Sequence, residues 1–265
     1  MLSVIRPLNV LLAGATVLLG VWLTSGSLQT WRTAVAVFIV MLFTAAGNIM
    51  NDICDLTSDR INQPQRPLPS GRISLFTARC AYLVGFGGGI LLSLYRELYW
   101  IALPALLLII WYNRQLQKTA VAGNLVVSLL TVLPLWYAAA LPQWRLLIFP
   151  TLLILLIQLS REIVKDIEDR EGDSHQGART LPLLIGPGPA LAVAAALNLL
   201  LWITALLAWW LHFYQLVLPL VVLLGILPLT LYGFQHAWRQ SDWRRLQLIL
   251  KLDMIIGFAA LIAGI

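Results

Sequence analysis

Acidic side chains are few in this chain, and most of them gather in two short stretches that could do chemistry. The first reads Asn48-Ile49-Met50-Asn51-Asp52-Ile53-Cys54-Asp55-Leu56-Thr57-Ser58-Asp59-Arg60-Ile61-Asn62. The second reads Ser160-Arg161-Glu162-Ile163-Val164-Lys165-Asp166-Ile167-Glu168-Asp169-Arg170-Glu171-Gly172-Asp173. Asp52, Asp55 and Asp59 stand three and four residues apart, and Asp166, Asp169 and Asp173 repeat the interval, which sets each trio along one stripe of a helix. Like charges so placed repel, and unpaired carboxylates at membrane depth are costly. A divalent cation resolves both problems. Carboxylate and amide oxygens suit Mg²⁺, which keeps part of its shell for water and substrate phosphates. No imidazole cluster offers a softer site, because His175, His212 and His236 are scattered.

The elements that position these stripes are membrane helices. Of 265 residues 60% are apolar and only 11% charged, with a mean hydropathy of +0.83, a composition that leaves a water-soluble domain no surface to wear. A spanning helix needs about 20 apolar residues. Cutting at charged, Gly/Pro and Asn/Asp clusters gives nine such segments, near 4–24, 31–54, 74–95, 98–113, 121–141, 145–167, 188–211, 214–237 and 246–265. They are continuous runs without the alternation of a membrane barrel. The first has no A-x-A cleavage site and is expected to be a retained helix and not a signal peptide. Fifteen of the eighteen Lys and Arg fall at the amino end and in the even-numbered loops. By the positive-inside bias, the amino terminus and both acidic stretches face the cytoplasm, in a multi-pass protein of the cell (inner) membrane. The net charge of +6 is then largely a topology signal, and no soluble basic face remains to bind nucleic acid. Cys54 and Cys80 are too few for a disulfide framework.

Each aspartate of the first trio has its counterpart 114 residues later, and Asn9 has Asn124 at 115. A four-helix unit therefore occurs twice in the same orientation. The expected fold is an all-α membrane protein of nine transmembrane helices. Two related four-helix halves plus a ninth helix surround a central cavity open to the cytoplasm, with 1–265 as a single domain. The acids are expected only at the cytoplasmic helix ends, with Glu97 alone near the other face. A proton or ion pathway of a transporter is the alternative use for carboxylates in such helices.

At these residues the chain resembles the UbiA-type intramembrane prenyltransferases. Their N-D-x-x-D-x-x-x-D motif stands as Asn51 to Asp59, continuing through Asn62, Pro64 and Arg66-Pro67-Leu68-Pro69-Ser70-Gly71-Arg72-Ile73-Ser74. The second motif stands as Asp166 to Asp173, followed by Thr180-Leu181-Pro182 and Gly186. The resemblance implies Mg²⁺-dependent transfer of an isoprenyl group from a polyprenyl diphosphate to a membrane acceptor, with Asp52, Asp55, Asp59, Asp166, Asp169 and Asp173 as the catalytic acids. It implies Asn51, Asp55, Asp59, Asp169 and Asp173 as metal ligands, and Asp166 as either a sixth ligand or the partner of Lys165 or Arg161. Arg6, Asn9, Arg66, Lys118, Arg161 and Lys165 would hold the diphosphate. The family's Y-x-x-x-K is not matched, since Leu116 stands four places after Tyr112, so Arg114 or Lys118 is expected to replace its lysine.

The run from Arg161 to Asp173 with Gly177-Ala178-Arg179-Thr180-Leu181-Pro182 looks most like the branch that prenylates geranylgeranylglyceryl phosphate in ether-lipid synthesis. Asn51 to Ser74 alone also allows an aromatic acceptor, 4-hydroxybenzoate or another quinone precursor, or tetrapyrrole esterification. A glycerol nucleophile needs a carboxylate to accept its proton, and Asp52, Glu162 and Glu168 are the candidates.

Overall fold

The structure, a computed structural model, describes residues 2–28, 31–95, 107–109, 111, 119–137 and 141–264. Seven helices in it are long and apolar enough to cross a membrane: Pro7–Ser25, Trp31–Cys54, Leu75–Leu94, Gln143–Glu168, Pro187–Trp210, Val217–Gln240 and Trp243–Ala263. Their outer faces carry exposed Phe76, Val84 and Leu224, each about three-quarters accessible, as lipid-facing side chains should be. Within the fifth expected span, 121–141, the structure describes a 16-residue helix, Ala122–Tyr137, with Pro134 inside it; residues 138–140 lie outside the described residues. The fourth segment, 98–113, lies outside the described residues except for 107–109 and 111.

The chain divides into two compact units. Residues 1–118, 129–147 and 171–177 form the first, and residues 119–128, 148–170 and 178–265 the second. In the first, α1 (Leu2–Ile5), α2 (Pro7–Ser25), α3 (Trp31–Cys54), α4 (Leu56–Asn62) and α5 (Leu75–Tyr95) follow in order. Helix α2 opens with Pro7 in its first turn, where a missing N–H costs nothing, and closes on Gly26 at φ 66°, whose N–H returns to the Trp22 carbonyl. Val17, Val21, Ala36, Ile39, Val40, Phe43 and Tyr137 make one core cluster. Backbones approach closely within it. A Cβ on Gly20 would stand 1.9 Å from the Leu135 carbonyl oxygen, and one on Gly89 2.5 Å from the Phe43 ring.

In the second unit, α7 (Ile148–Glu168) packs along α10 (Pro187–Trp210), with the short α9 (Leu181–Ile185) against both; α6 (Ala122–Tyr137) begins in the second unit and ends in the first, and α8 (Arg170–His175) belongs to the first from residue 171 onward. Helices α7 and α10 are joined at Ala194, whose carbonyl accepts the Ser160 hydroxyl at 3.1 Å. A two-residue parallel ladder joins β1 (Thr119–Ala120) to β2 (Arg179–Thr180). Helix α11 (Val217–Gln240) contains one π-turn at Val222–Ile226. Helix α12 (Trp243–Ala263) is capped by Asp242, whose carboxylate accepts the Arg245 N–H at 3.1 Å.

The two acidic motifs share a local structure. Helix α3 breaks at Asp55 and resumes as α4, which carries Asp59; α7 breaks at Asp169 and resumes as α8, which carries Asp173. The helical hydrogen bonding continues across both breaks, from the Asp55 N–H to the Asn51 carbonyl at 2.8 Å and from the Asp169 N–H to the Lys165 carbonyl at 2.9 Å. The two breaks are 114 residues apart, as the motifs are.

Candidate active site

The first cluster is assembled where the amino-terminal segment is strapped to the end of α3. Val4 is buried against Ile49, Leu68 and Ala78, and the Asn48 side-chain amide donates to the Ile5 carbonyl at 2.8 Å. Between these anchors Arg6 takes a left-handed conformation, φ 52° and ψ 72°. This is an uncommon state for a residue with a Cβ, and it persists only where the surroundings over-determine it. There its guanidinium pairs with the buried carboxylate of Asp52. Asn9 follows within the first turn of α2, its N–H on the Arg6 carbonyl at 2.9 Å.

Asp59 is held by the loop that follows it. Arg66 Nη1 donates to both of its oxygens, at 2.7 and 2.8 Å, and Asp59 is only 4% exposed. The Asn51 side-chain oxygen is buried without a hydrogen-bond partner. Such an oxygen costs desolvation free energy unless something completes it, and it shares its helical stripe with Asp55. These residues fit a Mg²⁺ ion, because all the donors are hard oxygens and one of them lacks an acceptor's usual partner. Among the described residues no three His, Cys, Asp or Glu side chains are gathered as a metal cage.

The second motif is divided between the units, Asp166 and Asp169 in the second and Asp173 in the first. Asp166 accepts from the Asn124 side-chain amide at 2.8 Å, so the asparagine noted for its place in the repeat has a contact of its own. Arg161, one of the two expected partners of Asp166, makes its ion pair instead with Glu162 at 3.0 Å, and Gln158 donates to the same Glu162 oxygen at 2.7 Å. Glu168 accepts from Gln247 on α12. Lys165 lies half-buried one turn before Asp169. Lys118, Tyr112 and Arg114 lie outside the described residues.

Gln158 and Gln247 carry no motif and were not singled out by the sequence. Spacing also misplaced one acid. Asp253 sits halfway along α12 and not at a helix end; it is 2% exposed and accepts from the Thr230 hydroxyl at 2.7 Å. Asn198 likewise donates from within α10 to Ser160 of α7 at 2.5 Å. Two polar contacts thus tie helices of the second unit together inside apolar segments.

The chain is similar over most of its length to known proteins. The model of the UbiA prenyltransferase family matches residues 13–255. A digeranylgeranylglyceryl phosphate synthase of Thermococcus sibiricus is 40% identical over 190 residues, 70% of this chain and 68% of that one. A solved structure concerned with digeranylgeranylglyceryl phosphate synthase in membranes has a TM-score of 0.72 at 29% identity, covering 99% of this chain and 96% of its own. A UbiA homologue from Archaeoglobus fulgidus, bound to DMAPP and Mg²⁺, has a TM-score of 0.68 at 18% identity, with 98% of each chain covered.

Proposed function

Because the chain belongs to the UbiA prenyltransferase family, we propose that this prenyltransferase moves a geranylgeranyl group from its diphosphate to the hydroxyl of geranylgeranylglyceryl phosphate. The observation that carries the choice of acceptor is the 40% identity to a digeranylgeranylglyceryl phosphate synthase.

In this reading Asn51, Asp55, Asp59, Asp169 and Asp173 hold Mg²⁺, with Asp166 as a further ligand oriented by Asn124. Mg²⁺ held by these residues would supply the positive charge that a departing diphosphate requires. Arg6, Asn9, Arg66, Lys118, Arg161 and Lys165 take the non-bridging phosphate oxygens. A guanidinium has five N–H groups, so an arginine gripping a carboxylate with one nitrogen still presents others to phosphate. Asp52 keeps Arg6 in place, and the catalytic acids are the two trios. The glycerol hydroxyl loses its proton to a carboxylate among Asp52, Glu162 and Glu168 as the C–O bond forms.

The finer architecture belongs to the same proposal: one domain over 1–265, nine spans, and two four-helix halves with a ninth helix around a central cavity. The amino terminus and the site face the cytoplasm of the inner membrane, and lipids cover the apolar faces. The test supplies purified protein and Mg²⁺ with geranylgeranyl diphosphate. In parallel reactions, geranylgeranylglyceryl phosphate or 4-hydroxybenzoate is added, and products are identified by mass. An ether-linked lipid phosphate is expected. A ring-prenylated acid with no lipid product overturns the acceptor assignment.

A further inference from the structure

The Asn62 side chain makes a contact that neither motif by itself requires. Its Oδ1 accepts the N–H of Gly172 at 2.9 Å, and Gly172 is buried. Both belong to the first unit, which includes residues 171–177. The Gly172 amide lies in the first turn of α8 (Arg170–His175), where a helix leaves its N–H groups without an intrahelical acceptor. Asn62 supplies one. Gly172 is not among the glycines of positive φ, so its backbone does not require glycine. What requires it is Asn62: a Cβ on Gly172 would stand 2.5 Å from Asn62 Nδ2, 2.8 Å from Cγ and 2.9 Å from Oδ1.

Asn62 follows Asp59 by three residues, and Gly172 immediately precedes Asp173. We propose that Asn62 and Gly172 form a latch that sets Asp173 in fixed relation to Asp55 and Asp59, so that Asn62 is a positioning residue for the cation and diphosphate site. The proposal rests on Asp173 being a metal ligand. A hydrogen bond 110 residues long in sequence replaces what adjacency does within each motif: it fixes one carboxylate of the second motif relative to the carboxylates of the first.

The test has two readouts, made on the full-length protein in detergent. The first is hydrogen exchange of residues 171–177 without metal. In Asn62→Ala this exchange accelerates roughly fivefold, the scale of one net hydrogen bond. In Asn62→Asp, which keeps the acceptor oxygen, protection is retained. The second is the Mg²⁺ concentration that gives half of the thermal stabilisation seen with geranylgeranyl diphosphate and no acceptor. This rises roughly fivefold in Asn62→Ala. Gly172→Ala alone reproduces the defect, and in the Asn62→Ala background it adds nothing, because the atoms it would strike are gone. Additive defects, or an Asn62→Ala protein that is less stable but needs no more Mg²⁺, overturn the latch. Asp173→Asn separates the two premises. If it leaves the Mg²⁺ requirement unchanged, the metal assignment has failed; if it raises the requirement and Asn62→Ala does not, the latch has failed.

Discussion

Replacing Arg66 with methionine tests how the charge of the first cluster is balanced. Asp59 is 4% exposed and grips Arg66 through both oxygens, at 2.7 and 2.8 Å, while the Arg66 side chain keeps 27% of its surface in contact with solvent. A hydrogen bond between charged groups contributes about 1.5–3 kcal/mol, and partial solvent screening brings the expectation here to about 2 kcal/mol. Methionine preserves most of the aliphatic stem, so the loss is mainly that of the guanidinium. For a chain of this size about 2 kcal/mol lowers the melting temperature by roughly 4–8 °C. Removing a cation from a cluster proposed to hold Mg²⁺ has a second effect of opposite sign, because the ion then meets more uncompensated negative charge. Thermal unfolding of Arg66→Met in detergent should therefore show a deficit in EDTA that Mg²⁺ partly repairs, and Mg²⁺ should raise its melting temperature more than that of the unchanged protein. Equal melting in EDTA, or an equal or smaller rise with Mg²⁺, refutes the reasoning.

Asp55→Ala and Asp169→Ala should each lower prenyl transfer by about a thousandfold, the several kcal/mol that a bound cation supplies. Their unfolding temperature should stay close to that of the parent; full turnover in either, or activity indifferent to chelator, removes the two-cluster mechanism. Gly20→Ala should cost about 1–3 kcal/mol of stability by overpacking, because its Cβ would meet the Leu135 carbonyl oxygen at 1.9 Å. An unchanged melting curve would contradict that close approach. Thr230→Val should cost about 1–3 kcal/mol by leaving Asp253 without its hydroxyl donor, whereas Asp253→Asn keeps an oxygen for Thr230 and should be better tolerated. Identical stability of Thr230→Val and the parent would show that the pair contributes nothing.

What the sequence disclosed was local. Hydrophobic run length located the helices. Asp52 to Asp59 and Asp166 to Asp173 announced themselves through intervals of three and four; the breaks at Asp55 and Asp169, also 114 residues apart, were not foretold by a spacing read as one helical stripe. Partner choice was not disclosed, because a hydrogen bond between distant residues leaves no period in the chain. Nothing about Asn62 points to Gly172, and nothing about Asn48 points to the carbonyl of Ile5. The left-handed turn at Arg6 precedes a proline, a position that favours extended backbone, so local preference argued against it and the tertiary anchors prevailed. Asp253 escaped notice because one acid in a long apolar run has no companion at helical spacing. Its companion is a threonine on another helix.

The π-turn at Val222–Ile226 amounts to an α-helix with one residue too many, held within a single turn. The helix on either side continues as though the surplus residue were absent. Shortening the chain by one residue there, at Leu224 for instance, which is 77% exposed, should close the bulge into regular helix and leave Thr230 facing Asp253. The same deletion one turn later would swing every following side chain by about 100° and part the two. This stretch of the helix is thus where a change of reading length between relatives could be absorbed, and an alignment gap falling at 222–226 would leave the helix contacts on both sides intact.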